Sequence, residues 1–119
     1  MKHLPIGQYS KIYGKTISNR VMENFLEAGY SDVGASEIVS LTGISKPKVY
    51  QTIEEFMKKG YIIKSRVVGR TQLYKLNKEN MIVRIFLRNF NECLQIVANE
   101  YSKKKDSTNV NIAVSAKTL

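Results

Sequence analysis

The sequence predicts a mainly α fold that carries one small β-hairpin and ends in a long helix, and three observations predict it. Between residues 44 and 61 the apolar residues Val49, Ile53, Phe56 and Met57 fall at i, i+4, i+7 and i+8, one side of a helix. After Gly60 the period becomes alternating over residues 61–67 and 71–76, which are rich in β-branched and aromatic residues, with Val68-Gly69-Arg70 as a hairpin tip. Val83, Leu87, Phe90, Leu94, Val97 and Tyr101 are then spaced 4, 3, 4, 3, 4, the a/d seam of a helix sustained for nearly three heptads.

Length and composition bound what such a chain does. With 119 residues and 43% hydrophobic content it forms one domain with a modest core. No apolar run approaches a membrane span and no secretory leader is legible, so no membrane is expected and the location expected is cytoplasmic. One cysteine, Cys93, makes no internal disulfide, and with one histidine, His3, it supplies no Cys/His metal site; no cofactor is expected. Catalysis needs positioned acids, bases or nucleophiles, and the acidic residues here are scattered along solvated faces, so the chain is not read as an enzyme.

The net charge of +9 is unevenly placed. Residues 1–44 are neutral, whereas residues 45–79 carry Lys46, Lys48, Lys58, Lys59, Lys64, Arg66, Arg70, Lys75 and Lys78 against Glu54, Glu55 and Glu79, a local excess of +6. Concentrating cations on one stretch is what a polyanion-binding surface requires.

Residues 1–16 hold no clean period and read as an irregular N-terminal arm, with Tyr9, Ile12 and Tyr13 available to pack on the body. From about Ser18, Val21, Met22, Phe25 and Leu26 make a core-facing stripe closed by Gly29. Residues 32–35 read as an extended link, and Ser36 starts a second helix with Ile38, Val39 and Leu41 inward. Thr42-Gly43-Ile44 ends it: Gly43 permits the positive φ of a sharp turn, and Ile44 plugs the corner. The next helix, residues 45–59, takes Ser45 as N-cap and Pro47 in its first turn. Averaging over Val49, Ile53, Phe56 and Met57, its outward face carries Pro47, Lys48, Gln51, Glu55 and Lys58.

Helix, glycine turn and cationic helix in that order make a helix-turn-helix, and the hairpin at 61–76 is its wing. In this arrangement the helix at 45–59 enters the major groove of double-stranded DNA and the wing reaches the minor groove or backbone. Lys48 and Gln51 are candidates for base edges, Ser45, Lys46 and Tyr50 for phosphate or the groove wall, Thr52 for the DNA-binding surface in general, and Lys64, Arg66 and Arg70 for the wing. Tyr74 and Leu76 alternate inward.

Asn77 is placed to cap the last helix, residues 78–102. Its seam, widened by Met81, Ile82, Ile85, Phe86 and Ile96, exceeds what one small body covers, so Val83, Leu87, Phe90, Leu94, Val97 and Tyr101 are expected at a homodimer interface. Residues 103–119 read as a polar tail opened by Lys103–Lys105; Val110, Ile112 and Val114 alternate within it. The organisation is therefore arm 1–16, winged helix-turn-helix domain 17–77, dimerisation helix 78–102 and tail 103–119.

The stretch SEIVSLTGISKPKVYQTIEEFMKKGYI, followed by RVVGRTQLYKLNKEN, resembles the winged helix-turn-helix regulators of the ArsR, MarR and TrmB kind, especially small archaeal ones. The resemblance implies a dimeric, sequence-specific DNA-binding protein acting as a transcriptional regulator. Metal-sensing relatives carry Cys or His pairs that this chain lacks, which argues against zinc or arsenic sensing. ISKPKVYQTIEEFMKKGYI with RVVGRTQLYKL also looks like the TubR family of plasmid centromere-binding winged-helix proteins, which implies, as the alternative, a partition adaptor with a filament-forming partner. A winged helix used for protein or RNA contact usually loses its basic helix and wing, and both are kept here. Cys93, next to Leu94, reads as a buried small hydrophobe before it reads as a redox switch.

Overall fold

A computed structural model describes residues 7–105, and within them the chain order is α1 (Gln8–Tyr13), α2 (Ile17–Ala28), β1 (Val33–Gly34), α3 (Ala35–Thr42), α4 (Lys46–Lys58), β2 (Ile62–Val68), β3 (Thr71–Leu76) and α5 (Met81–Lys105). Residues 1–6, with His3, and the tail beyond 105, with its alternating valines and isoleucine, lie outside the described residues.

Helix α2 starts where Thr16 Oγ1 accepts the backbone N–H of Asn19 and ends at Gly29, with Val21, Met22, Phe25 and Leu26 buried on one side. The part of the arm that is described is not irregular, as the sequence suggested, but the one-and-a-half-turn helix α1. Tyr9 supplies the reason: it is buried and its ring lies 6.2 Å from that of Phe90 on α5. Beside it the buried Ser10 hydroxyl donates to Glu23 Oε1 at 2.7 Å, which gives the buried carboxyl of α2 a partner.

The turn between α3 and α4 is built from three residues. Gly43 adopts φ 78° and returns its N–H to the Val39 carbonyl. Thr42 Oγ1 donates to the Ile38 carbonyl and accepts the N–H of Ile44, and Ile44 is buried in the corner between the helices. Helix α3 begins at Ala35 with Gly34 as its N-cap residue, one position before the Ser36 start expected from sequence.

Helix α4 ends in a Schellman arrangement: Gly60, at φ 77°, donates to the Met57 carbonyl and Tyr61 donates to that of Phe56. The hairpin follows, β2 and β3 pairing antiparallel from Ile62↔Leu76 to Val68↔Thr71 across the two-residue tip Gly69-Arg70. A third strand joins it. The link at Val33–Gly34, too short to show alternation, pairs with Tyr74 and Leu73, so the sheet order is β1-β3-β2.

The last helix is capped by Asn80 and not by Asn77. Asn80 Oδ1 accepts the N–H groups of Ile82 and Val83, while Asn77 folds back, its Nδ2 donating to the Gly60 carbonyl and its Oδ1 accepting from Glu79. Helix α5 then runs 25 residues, about 37 Å at 1.5 Å per residue. Val83, Phe90 and Cys93 are buried in the chain's own core, with Phe86 and Leu87 packed partly against it. The seam expected at a partner from the sequence is thus divided: its first half closes the chain's own core, because α2, α1 and Tyr61 lie beneath it. Leu94, Ile96, Val97 and Tyr101 extend past that body and are exposed. No helix among the described residues is long and apolar enough to cross a membrane.

Candidate nucleic-acid interface

The side of α4 that faces solvent is fixed by what it buries. Val49, Thr52, Ile53 and Phe56 are buried and Met57 is only half-buried. Thr52, expected at the interface, is 5% exposed, and its hydroxyl donates to the Lys48 carbonyl at 2.8 Å. That back-bond satisfies the hydroxyl and lets threonine serve as a small core residue. Exchanging Met57 for Thr52 turns the buried direction by about 35°, at 100° per residue. The outermost face then carries Pro47, Gln51, Glu54 and Lys58, while Lys48 and Glu55 move to one flank and Lys46 and Tyr50 to the other. Ser45, Lys46, Lys48, Tyr50 and Gln51 are all exposed. Ser45 has the extended backbone of an N-cap, but its hydroxyl makes no capping bond.

Glu54 was missed in the sequence, and the signal that finds it is the phase of the helix once Thr52 is known to be inside. Together with Pro47, Tyr50, Gln51 and Met57 it lines an open depression of about 370 Å³ whose far wall is Tyr74 of β3. The depression joins the outer face of α4 to the root of the hairpin. Burial lifts the Tyr74 phenol above its ordinary value, with Tyr50 adding to the effect, so the Tyr74 ring presents a neutral hydroxyl.

On the hairpin, Lys64 and Arg70 are exposed, Arg70 at the tip beside Gly69. Arg66 is different. Its Nε donates to Asp32 Oδ2 at 2.8 Å, and the same oxygen accepts the Ser65 hydroxyl at 2.8 Å. The hydrogen bond from Arg66, then that from Ser65, hold the Asp32 carboxyl below the usual aspartate range. The sequence places Arg66 among the wing cations; the structure gives it an acidic partner 34 residues away. Among the described residues no three His, Cys, Asp or Glu side chains come together in a group able to hold a metal ion.

The fold is a winged helix-turn-helix. Helices α3 and α4 with the Gly43 turn are the helix-turn-helix, the β2–β3 hairpin is the wing, and α2 and α5 complete the core. No family model and no curated protein matches the sequence. Among solved structures the chain is similar to Sso10a-2, a DNA-binding protein from Sulfolobus solfataricus, at 15% identity and TM-score 0.48, over 79% of this chain and 94% of that one. It is also similar to a mutant of the type III plasmid segregation protein TubR, at 25% identity and TM-score 0.48, over 82% and 97% of the two chains. A second TubR structure aligns at 23% identity and TM-score 0.46, over 80% and 89%.

Proposed function

We propose that this protein is a homodimeric, sequence-specific double-stranded DNA-binding protein that acts as a transcriptional regulator. The observation that carries the reading is the continuity of the outer face of α4 with the hairpin across the depression walled by Tyr50, Gln51, Glu54 and Tyr74. The same two elements carry exposed cations, Lys46, Lys48 and Lys58 on α4 and Lys64 and Arg70 on the hairpin. A helix with exposed Gln and Lys near its N-terminus matches the donor and acceptor pattern of a major groove, and a two-residue tip bearing arginine suits the narrower groove beside it.

In this reading Gln51 and Glu54 meet base edges, Lys48 reaches the groove rim, and Ser45, Lys46 and Tyr50 contact phosphate. Lys64 and Arg70 serve the wing. Dimerisation is supported by the apolar overhang of α5, where Leu94, Ile96 and Val97 stand exposed beyond the protomer's own core. A two-fold pairing there would present two recognition helices to successive turns of one duplex face.

Selection of genomic fragments bound by the protein tests this directly. An enriched inverted repeat, with Arg70→Ala reducing the slope of log affinity against log salt by about 0.9 per protomer, is the expected result. Recovery of fragments with no shared site would end the claim of sequence specificity. The partition alternative rests on the likeness of residues 44–62 and 66–76 to TubR-type proteins, and it predicts footprints over tandem repeats in place of one inverted repeat.

A further inference from the structure

Between Lys64↔Tyr74 and Val67↔Gln72 the hairpin register slips, so that Ser65 and Arg66 together oppose Leu73. A bulge of this kind bends the strand and re-aims the side chains it carries. Here both side chains are aimed at one acceptor. Asp32 sits in the link before β1, on the far edge of the β1-β3-β2 sheet, yet its Oδ2 takes a hydrogen bond from Ser65 Oγ and another from Arg66 Nε. The contact therefore spans the sheet across β3 and ties the wing to the segment that leads into the helix-turn-helix.

The electrostatic consequence follows from the pairing. A guanidinium bonded to a carboxylate at 2.8 Å adds no net charge to the surface, even though the Arg66 side chain is 69% exposed. Duplex affinity that varies with salt counts the phosphates a protein neutralises, and a cation already neutralised in the free protein displaces no further counterion. Among the described residues the exposed Lys64 and Arg70 of the hairpin make no ion pair, whereas Arg66 does.

We propose that Asp32 is a positioning residue for the nucleic-acid interface: it pins the bulged wing across the sheet and withholds Arg66 from the phosphate backbone, leaving Lys64 and Arg70 as the wing's phosphate ligands. This rests on the DNA-binding reading given above. Asp32 touches no duplex itself. Its effect is to set how many positive charges the wing offers and at what angle.

The test is the salt dependence of binding to a mixed-sequence duplex several helical turns long, for the full chain and four variants. Arg66→Ala should leave the slope of log affinity against log salt unchanged. Asp32→Asn, which keeps the shape and the acceptor for Ser65 but removes the charge, should steepen it by about 0.9 per protomer. The double variant should return to the parent slope, and Ser65→Ala, which loosens the tie without altering charge, should also keep it. A flattened slope for Arg66→Ala, an unchanged slope for Asp32→Asn, or a changed slope for Ser65→Ala would overturn the proposal. Circular dichroism at the assay temperature separates these outcomes from unfolding, and Arg66→Ala, a change at an exposed side chain, carries the test if Asp32→Asn proves unfolded. Absence of any salt-dependent duplex binding by the parent chain would instead reject the DNA-binding reading and is distinguishable from all of these.

Discussion

The guanidinium of Arg20 donates to the main-chain carbonyl of Thr42 at 2.8 Å, joining the first turn of α2 to the last turn of α3. The carbonyl is one of those a helix end leaves without an intrahelical partner, and the positive charge lies at the negative end of the α3 dipole. The same Thr42 uses its hydroxyl to shape the Gly43 turn, so one arginine holds the support on which α4 is mounted. Replacing Arg20 with Ala should cost about 1.5–3 kcal/mol, the range of a hydrogen bond to a charged group. A lower urea midpoint at unchanged m value would register it. No change in midpoint would show that water replaces the guanidinium at no cost.

Two residues on the outer face of α4 should divide the work of discrimination. Gln51→Ala is expected to relax preference at one base pair, at about 1–3 kcal/mol, because a side-chain amide pairs with an adenine edge. Glu54 acts with the opposite charge. In the proposed complex its carboxylate would accept from a cytosine amine and repel phosphate, so Glu54→Ala should lower discrimination at a neighbouring position while raising affinity for unrelated DNA. Competition binding against duplexes changed one base pair at a time reads both. Equal losses on specific and random sequence for Gln51→Ala would remove it from base recognition.

Much of this surface is legible in the sequence. Gly43, Gly60 and Gly69 marked the interhelical turn, the end of α4 and the hairpin tip, because a positive φ is a local demand that a local residue announces. The phase of α4 was misread by about 35°, since a threonine looks polar until its hydroxyl is seen returned to its own helix, and a methionine looks apolar wherever it stands. The pairing of Arg66 with Asp32 and the strand at Val33–Gly34 are long-range contacts with no periodic signature. The division of the α5 seam depends on the length of the body beneath it, which α1 extends through Tyr9.

That division predicts two different failures along one helix. Phe90 is 5% exposed and packs against Tyr9, so Phe90→Ala should destabilise the protomer by about 3–5 kcal/mol. Leu94 is 49% exposed, and Leu94→Glu should leave the fold intact while converting the proposed dimer to a monomer. Sedimentation paired with a thermal melt distinguishes them. Leu94→Glu with an unaltered sedimentation coefficient would place any subunit contact elsewhere.

Cys93 should behave as a core residue in solution. It is 3% exposed, and burial, with Glu23 and Glu92 adding like-charge repulsion, pushes its thiol above the ordinary range. The reactive species is the thiolate, so an aromatic disulfide reagent at mildly alkaline pH should modify the folded protein slowly and the urea-unfolded protein at once. Rapid modification of the folded chain would reveal an opening of α5 away from α1 and α2.

Acid should release the tie between the wing and the helix-turn-helix. The Asp32 carboxyl is held below its ordinary value when folded, by Arg66 and Ser65, and regains that ordinary value on unfolding. The unfolded chain therefore binds this proton more readily, and stability rises with pH through the interval between the two values. The contribution is fully present above the ordinary aspartate range and is lost as pH falls through the lowered folded value. Asp32→Asn removes it at every pH. The gap in urea midpoint between the parent and Asp32→Asn should thus be widest near neutrality and narrow steadily as pH falls below the ordinary aspartate value, whereas a constant gap would show that the side chain acts through shape and not through charge.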